Sequence, residues 1–456
     1  MSSRSNELTA ARQLQARAHH LIPGGAHTYA KGDDQYPVLA PPFIARGQGC
    51  HVQDLEGNTY IEYGMGNRAV GLGHAYAPVL EAVRSELERG CNFTRPSPME
   101  VACAEQFLSL IETAEMVKFC KDGSDATSAA MRLARAYTGR DMIACCADHP
   151  FFSTDDWFIG TTAMNAGIPD AVKGLTATFR YNDLDSAKSL FERYPGRIAA
   201  LILEAARTDD PEDGYLHKLK QLCHANGALF VLDEMITGFR WHKGGAQRYY
   251  DIAPDLSCFG KALANGFSVS ALAGQREFMR LGGLDHYDRP RVFLLSTTHG
   301  AETHALAAAI ATMRIYQTEP VIETVERRGE RLRTLANAAI ERHGLGDYVK
   351  ILGRSSCLFY ATLDQNKQPS QAMRTLFLQE TIRRGVLMPS LVLSYSHSES
   401  DIDRTVEAID GALAIYRQAL ESGPEHFLIG RPSAPVMRAY NIAPQNSRQP
   451  KSATSA

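Results

Sequence analysis

The middle of this chain alternates short apolar runs with amphipathic segments, and no other feature restricts its fold as strongly. The apolar runs are residues 116–119, 142–146, 199–203 and 228–232, and the amphipathic segments include residues 126–138 and 216–225. Strands that alternate with helices form right-handed β-α-β units and a mostly parallel sheet. Ligands of such sheets bind beyond the carboxyl ends of the strands. The sequence therefore predicts an α/β protein with its functional site at that edge.

The flanking segments have a different character. Residues 6–21 have the pattern of an amphipathic helix that ends before Pro23-Gly24-Gly25, and residues 49–63 resemble a hairpin turned at Glu56-Gly57-Asn58. Residues 76–89 return to a helical period, and helices dominate again from Glu319 onward, with a β-like run at residues 356–361. We expect an N-terminal segment (1–70), a large domain (71–320), a small α+β domain (321–435) and a polar, partly disordered tail (436–456).

Composition excludes several classes of function. The formal net charge of the 456 residues is -3, and the charged residues of both signs are interspersed, so neither nucleic acid nor an anionic membrane is an expected partner. The nine cysteines are an odd number and show no C-x-x-C spacing, which argues against a disulfide framework and a zinc site. The N-terminus is polar, and no apolar run approaches the roughly 20 residues that span a bilayer. The prediction is a cytoplasmic protein.

Two carboxylates, Asp233 and Glu234, directly follow the apolar run at residues 229–232. A carboxylate at the end of a buried strand is well placed to pair with a cation. A helix N-cap or a structural ion pair would also explain carboxylates at these positions.

A single lysine, Lys261, lies among small and apolar residues, with Gly260 before it and Asn265-Gly266 after it. A desolvated lysine has a lowered pKa and can attack a carbonyl group. The alternative is an exposed loop lysine.

A turn at Gly123 and Ser124 separates the apolar run that ends near Cys120 from the helix that follows. Backbone N–H groups at such a helix start, together with the Ser124 hydroxyl, form an anion site suited to phosphate. An ordinary capped helix would look the same in the sequence.

These three elements occur in one chain order, and Lys261 follows Asp233 by 28 residues. Pyridoxal 5'-phosphate (PLP) requires a phosphate anchor, a carboxylate for its pyridine nitrogen and a lysine for its aldehyde. The chain resembles the class III aminotransferases of fold type I, and within them the glutamate-1-semialdehyde 2,1-aminomutase-like branch. The segments that carry this resemblance are LIPGG, QDLEGNTYIEY, GLGHAYAPV, AMRLARAYTGRD, LDEMITGFR, PDLSCFGKALANG and STTHGAETHALAAA.

The resemblance implies a large domain with a mostly parallel seven-stranded sheet, and a small α+β domain from the N- and C-terminal segments. It implies that Lys261 carries PLP as a Schiff base and moves a proton during the reaction, while Asp233 holds the pyridine nitrogen protonated. Gly123 and Ser124 match the phosphate-binding pair of the family. Thr298 matches a threonine that reaches the phosphate of the neighbouring subunit, which implies a homodimer with shared active sites.

The segment before DWFIG departs from the family pattern. Phe151 stands where a tyrosine usually stacks on the pyridine ring, and Phe152 and Ser153 replace the usual His-Gly. Phenylalanine keeps the stacking face and lacks the hydroxyl. Met235 replaces a valine that packs on the other face of the ring, and methionine is the more adaptable side chain.

The expected substrate-binding residues are His27, Tyr29, Lys31 and Glu204. Lys31 occupies the position of an arginine that fits a substrate carboxylate in the aminomutases, and lysine cannot reproduce that bidentate fork. His27, Thr28 and Tyr29 offer neutral hydrogen bonds that suit a polyhydroxy carbonyl compound. Glu204 matches a family glutamate, but Ala205 and Ala206 follow it instead of Pro-Val, and a structural ion pair would explain it equally.

The main functional prediction is an aminotransferase that carries an amino group from an amino-acid donor to a ketone or aldehyde, such as a sugar or secondary-metabolite intermediate. The first alternative is a glutamate-1-semialdehyde-type aminomutase, which moves nitrogen within one molecule. The second is a binding protein that kept the fold and lost catalysis, against which the presence of both Lys261 and Asp233 argues.

Overall fold

A seven-stranded sheet forms the centre of the large domain in the computed structural model, which describes residues 9–441. Its strands are β4 (Met116–Cys120), β5 (Met142–Cys146), β6 (Thr176–Phe179), β7 (Ile198–Glu204), β8 (Leu229–Asp233), β9 (Leu256–Phe259) and β10 (Ser270–Gly274). Their spatial order is β4-β10-β9-β8-β7-β5-β6, and β10 alone runs antiparallel to its neighbours. The predicted mostly parallel sheet is confirmed, and the carboxyl ends of six strands meet at one edge.

Helices cover both faces of this sheet, so its central strands β7 and β8 are buried along their whole length. The helices of the described chain are α1 (Ala10–Leu21), α2 (Met65–Arg68), α3 (Ala77–Leu87), α4 (Pro98–Leu108), α5 (Gly123–Thr138), α6 (Asp156–Ile159), α7 (Asp170–Lys173), α8 (Leu184–Arg193), α9 (Tyr215–Ala225), α10 (Gly245–Tyr249), α11 (Arg276–Met279), α12 (Thr303–Thr318), α13 (Val321–Arg342), α14 (Gln371–Arg383) and α15 (Glu399–Ser422). The short α2 is a left-handed turn in which all four residues have positive φ.

Two small sheets lie outside the large sheet, and the first of them joins the N-terminal and C-terminal segments. One contains β1 (Ile44–Gln48), β2 (His51–Asp54), β3 (Thr59–Glu62) and β13 (Val386–Leu387), and the other contains β11 (Val349–Leu352), β12 (Cys357–Thr362) and β14 (Leu391–Val392). The parallel pairing of β3 with β13 connects residues more than 300 positions apart. The predicted small α+β unit built from both ends of the chain is therefore present.

Most predicted elements are confirmed with small shifts of their ends. The hairpin between β2 and β3 turns at residues 55–58, where Gly57 has a φ of 86°. One boundary was predicted wrongly, because Gly123 and Ser124 belong to the first turn of α5 and do not precede it. The Asp122 side chain accepts hydrogen bonds from the Ser124 and Asp125 N–H groups, so the helix begins directly after Asp122.

Two predictions extend beyond the described residues. The first helix is described from Ala10, and residues 6–8 of its predicted range lie outside the described part of the chain. Most of the tail predicted at residues 436–456 also lies outside it. Within residues 9–441, no helix is both long and apolar enough to cross a membrane.

Candidate active site

The predicted catalytic residues meet at the carboxyl edge of the large sheet. Asp233 is the last residue of β8, and Lys261 follows β9 after one intervening glycine. Glu204 is the last residue of β7 and pairs in register with Asp233. Gly123 and Ser124 begin α5 three residues after β4 ends. Residues from four separate chain segments are thus collected at one edge.

Asp233 is almost completely buried, and its Oδ1 accepts a hydrogen bond of 2.8 Å from the Met235 N–H. Burial and the neighbouring Glu204 carboxylate together raise the pKa of Asp233 to about 7, against the opposing effect of the Lys261 ammonium. In this buried environment, the ionised form of the Asp233 carboxyl group is stabilised by a cation placed against it.

Lys261 lies in a strained position. Its φ is 41°, in the left-handed region that is uncommon for residues other than glycine. Burial lowers the pKa of Lys261, the carboxylates of Asp233 and Glu204 raise it, and the guanidinium groups of Arg68 and Arg240 lower it. The side chain is only partly exposed. The net lowering of the pKa favours a neutral amine, which is the nucleophilic form.

The loop after Lys261 is fixed to the segment that precedes α3. The Asn265 Oδ1 accepts a hydrogen bond of 2.9 Å from the Leu72 N–H, and its Nδ2 donates one of 3.0 Å to the Gly73 carbonyl. Asn265 is buried and has a φ of 47°, so these bonds hold a second left-handed residue next to Lys261. Asn265 is therefore a positioning residue for the lysine.

Met235 packs between the α5 start and the lysine loop. A Cβ atom on Gly123 would lie 2.9 Å from the Met235 Sδ, and one on Gly260 would lie 2.7 Å from the same sulfur. Both glycines therefore permit this close approach, and a methyl group at either position would displace the Met235 thioether. The contacts bring three predicted cofactor-binding elements together at Met235.

Phe151 lies in the loop between β5 and α6 and is 44% exposed. Its ring meets Phe158 edge-on at 5.7 Å. The Thr154 N–H donates to the Ser124 Oγ over 3.0 Å, and the Thr127 hydroxyl donates to the Phe152 carbonyl over 2.8 Å. These bonds fasten the loop to the first turns of α5, and they leave one face of the Phe151 ring accessible.

The buried Glu204 forms an ion pair with the partly exposed Arg207, with 3.0 Å between Oε1 and Nη1. Its backbone N–H donates to the His149 Nδ1 over 3.0 Å, and burial lowers the pKa of His149, which fits an accepting, neutral ring. The Glu204 Oε2 has no hydrogen-bond partner within residues 9–441. The ion pair satisfies Oε1, and Oε2 remains available as a hydrogen-bond acceptor for a ligand.

Glu234 is a structural residue. Its carboxylate accepts hydrogen bonds from the Thr237 hydroxyl and from the N–H groups of Ala246 and Gln247, at 2.9 Å and 2.7 Å for the two backbone donors. Burial raises the pKa of Glu234, and these three donors lower it. Of the two adjacent carboxylates, only Asp233 is placed beside Lys261.

Four predicted residues lie away from this group. His27 and Lys31 line a cavity of about 760 Å³ between the N-terminal segment and the small sheet that contains β13. Tyr29 is 63% exposed and does not line that cavity. Thr298 lies in an exposed loop, where its carbonyl accepts a hydrogen bond of 3.1 Å from the Asn92 Nδ2. Their predicted roles stay predictions.

Two buried or half-buried arginines near Lys261 were missed from the sequence. Arg240 is buried and donates hydrogen bonds to the carbonyls of Ile236 and Arg68. Arg68 ends the left-handed turn α2. Arg240 is the last residue of the LDEMITGFR motif, so the sequence could have indicated it. Arg68 is far from Asp233 and Lys261 in the sequence, and no motif indicated it.

The residues at this edge fit PLP. The α5 start offers the Gly123 N–H group and the Ser124 hydroxyl, whereas the N–H groups of Ser124 and Asp125 donate to the Asp122 side chain. A side chain on Gly123 would fill the space beside them. Asp233 offers a buried carboxylate for a pyridine nitrogen, and Lys261 offers an amine with a lowered pKa for an aldehyde. The Glu204 Oε2 is a further free acceptor. Fold and site together define a PLP-dependent enzyme of fold type I.

Comparison with known proteins places the chain within that class. The family model described as "Aminotransferase class-III" matches residues 29–390. The chain belongs to the class III aminotransferase family and, by its relatives, to its aminomutase-like branch, and its cofactor is PLP.

Curated relatives and solved structures agree on this family. The chain is 33% identical to a glutamate-1-semialdehyde 2,1-aminomutase of Acetivibrio thermocellus, with 88% of this chain and 97% of the relative covered, and 32% identical to one of Desulfitobacterium hafniense, with 86% and 95% covered. Among solved structures, the PLP internal aldimine form of the FumI protein from Sphingopyxis sp. MTA144 has a TM-score of 0.83 at 30% identity, with 92% of this chain and 100% of that chain covered. An omega-transaminase from Sphaerobacter thermophilus has a TM-score of 0.80 at 26% identity, with 90% and 98% covered.

Proposed function

We propose that this protein moves an amino group within one substrate molecule, in the manner of the aminomutases that are its curated relatives. The observation that carries the amino-transfer chemistry is the buried Asp233 next to Lys261 at the edge where α5 begins. The choice of the intramolecular form rests on the names of relatives about 32% identical over most of the chain. This choice reverses the order of the two hypotheses drawn from the sequence.

Each cofactor-binding residue has a distinct task in this proposal. The α5 start, with Gly123 and the Ser124 hydroxyl, binds the phosphate, and Asp233 keeps the pyridine nitrogen protonated. Phe151 and Met235 cover the two faces of the ring. When bound, PLP supplies an electron sink for the carbanion formed beside the substrate nitrogen.

Lys261 is the proposed proton carrier. Its lowered pKa leaves Nζ able to accept the proton from the substrate carbon that bears nitrogen, and the same atom returns a proton later in the reaction. Asn265 holds the loop in its left-handed conformation, so the amine is presented at a constant position. The apolar side chains of Met235 and Phe151 exclude water from this step.

A homodimer with shared active sites belongs to the same proposal. Thr298 is exposed in the single chain, in a loop that the Asn92 amide holds in place. An exposed threonine on an ordered loop can donate its hydroxyl to a phosphate in a second subunit. Small-molecule substrates are what the family transforms.

A second candidate is transfer between two molecules, from an amino-acid donor to a carbonyl acceptor. Lys31 favours it, because lysine lacks the bidentate geometry with which the arginine at that position would hold the aminomutase substrate. His27 and Lys31 line the cavity of about 760 Å³, so a polyhydroxy acceptor would be bound there. Tyr29, at the surface nearby, would contribute only on closure of that segment.

Spectroscopy of the purified PLP form separates these candidates. Addition of single amino acids in the absence of a carbonyl acceptor should leave the visible absorbance of an aminomutase unchanged, while glutamate 1-semialdehyde is isomerised. Loss of the absorbance with a simple amino-acid donor would instead establish transfer between two molecules. A purified protein with no visible absorbance after reconstitution with PLP would support the catalytically inactive alternative.

A further inference from the structure

The C-terminal arm, residues 427–438, follows α15 and is fixed on α14 by hydrogen bonds. The Gln379 Nε2 donates a hydrogen bond of 3.0 Å to the Phe427 carbonyl, and the Ser433 N–H donates one of 2.8 Å to the Thr375 Oγ1. The hydroxyl groups of Ser433 and Thr375 are 2.9 Å apart. Because Gln379, Thr375 and Ser433 are all buried, these bonds give the arm a constant position on the helix.

The same arm contacts two adjacent aspartates near the start of the chain. Arg431 donates from Nη2 to the Asp33 carbonyl over 2.8 Å and from Nη1 to the Asp34 carbonyl over 3.4 Å. The Ala434 N–H donates to the Asp34 carbonyl over 2.8 Å. The Arg438 Nη2 lies 2.6 Å from the Asp34 Oδ2 in a partly buried ion pair. The side-chain bonds join residues 397 to 404 positions apart in the sequence.

The segment that carries these aspartates consists of two short 3₁₀ turns, Tyr29–Lys31 and Asp33–Gln35, which we call the double turn. On its other side, the Asp33 Oδ2 accepts a hydrogen bond of 2.9 Å from the Gln15 Nε2 and lies 3.1 Å from the His19 Nε2, both on α1. Hydrogen bonds of 3₁₀ turns have poor geometry and stabilise only short pieces. The double turn therefore depends on α1 and the arm for its conformation.

The double turn forms part of the wall of the cavity of about 760 Å³. Lys31 lines this cavity, and Arg431 of the arm lines it as well. Asn67 of α2 is another lining residue. The next residue, Arg68, lowers the pKa of Lys261, so this end of the cavity lies within electrostatic reach of the reacting amine. The cavity thus extends from the arm toward the Lys261 site.

We propose that the C-terminal arm positions the double turn against this cavity and thereby determines how tightly the substrate binds. Arg431 and Arg438 are positioning residues, which act on the substrate through the segment that contains Asp33 and Asp34. Their charges are complementary to those of the two aspartates. The inference rests on the proposed function in one respect, namely that a substrate of the PLP enzyme occupies this cavity.

Arg438→Gln is the principal variant, because within the described chain neither Arg438 nor Asp34 lines the cavity. Any effect on substrate binding must therefore pass through the double turn. KM should rise about three- to tenfold, because a charged hydrogen bond that is only partly shielded from water is lost. The value of kcat should stay within about twofold, since only uniform binding is weakened. Arg438→Lys should recover part of the loss, because the charge remains.

The substrate in this test is glutamate 1-semialdehyde or, if the unmodified chain does not isomerise it, the amino-acid donor that removes the visible absorbance. Asp34→Asn should raise KM as much as Arg438→Gln does. The double variant should be no worse than either single variant, because both remove the same ion pair. Arg417→Gln, a change at an exposed arginine on α15, is the matched control and should leave KM unchanged.

Hydrogen exchange of the PLP-loaded protein tests the arm without any turnover. The Gln35 and Tyr36 N–H groups donate to the Gly32 and Asp33 carbonyls, over 3.0 Å and 3.3 Å. In Arg438→Gln these amides should exchange about three- to tenfold faster, because the arm no longer holds the segment through Asp34. Amides of the buried strand β7 should keep their exchange rates, which separates a local release from a general loss of stability.

Unchanged exchange of the double turn in Arg438→Gln would overturn the proposal, as would faster exchange with an unchanged KM. Additive effects of Arg438→Gln and Asp34→Asn, or faster exchange throughout the chain, would also contradict it. The visible absorbance after PLP loading reports that each variant is folded. An unmodified chain that binds no PLP or converts none of these substrates would refute the proposed function, and exchange of the Gln35 and Tyr36 amides would still decide whether the arm holds the double turn.

Discussion

Glu204 and Asp233 stand directly opposite each other as the last residues of two adjacent parallel strands, β7 and β8. Neighbouring carboxylates repel, and each favours protonation of the other unless cations lie close to them. Arg207 pairs with Glu204, and Lys261 lies near Asp233. The two carboxylates therefore have different cation partners, and Asp233 is the one that we propose to hold the cofactor nitrogen.

Replacement of Lys261 tests the assignment of the covalent anchor. Lys261→Ala should lower turnover at least about a thousandfold, because both the Schiff base and the proton carrier are lost. PLP should still bind noncovalently, with the absorbance of the free aldehyde form. Lys118→Ala, a change at an exposed lysine on β4, is the matched control and should behave as the unmodified chain. Retained turnover in Lys261→Ala would refute the assignment.

Asp233 should make the apoprotein less stable as the pH rises. Its folded pKa of about 7 lies above the ordinary value of 3.8, so its contribution to stability is present at low pH and is lost as the pH rises through 7. Asp233→Asn removes this loss. The free energy of unfolding of Asp233→Asn, relative to that of the unmodified chain, should be about 1–3 kcal/mol higher at pH 8 than at pH 5. Urea denaturation of the two apoproteins measures this difference. A gain that does not vary with pH would contradict the raised pKa.

The same substitution should impair the holoenzyme. Asparagine cannot keep the pyridine nitrogen protonated, so proton abstraction from the substrate should slow by orders of magnitude. Stopped-flow absorbance, which follows that step directly, and a substrate deuterated at the reacting carbon would identify it. An unchanged rate would mean that Asp233 is not the partner of the cofactor nitrogen.

The contact between Gly123 and Met235 predicts a compensating pair. Gly123→Ala places a Cβ atom 2.9 Å from the Met235 Sδ, and overpacking of this kind costs about 1–3 kcal/mol. PLP affinity, measured by equilibrium dialysis, should fall about tenfold. Gly123→Ala combined with Met235→Val should recover most of the loss, because the sulfur is removed while an apolar side chain still covers the ring. If the double variant binds no better than Gly123→Ala alone, the contact does not determine cofactor affinity.

Glu234 should contribute to the stability of the folded protein and not to the catalytic rate. Glu234→Ala leaves the N–H groups of Ala246 and Gln247 buried without an acceptor, which costs about 1–3 kcal/mol for each. Thermal unfolding of Glu234→Ala should show a large drop in the midpoint, whereas Glu234→Gln, which keeps one acceptor oxygen, should lose less. The rate constant of any folded Glu234 variant loaded with PLP should match that of the unmodified chain.

Much of the site could be read from the sequence because its residues lie at the ends of strongly patterned elements. Lys261 and Asp233 follow apolar runs, and the resemblance to a family assigned their roles. The start of α5 was misplaced although the signal was present, since Asp122 and Asp125 form a capping box. For Glu204 the sequence left open substrate binding and a structural ion pair, and the structure shows an ion pair with Arg207, which depends on side-chain directions at the end of β7.

The sequence by itself determined the alternation of strands and helices and the chain order of turn, carboxylate and lysine, because hydrophobic periodicity and turn chemistry act over a few residues. Only the tertiary structure decided the antiparallel direction of β10, the packing of Met235 against two distant glycines and the meeting of Arg68, Arg207 and Arg374 around one cavity. Such contacts join residues up to about 300 positions apart. They depend on strand order and domain packing, which no local pattern encodes.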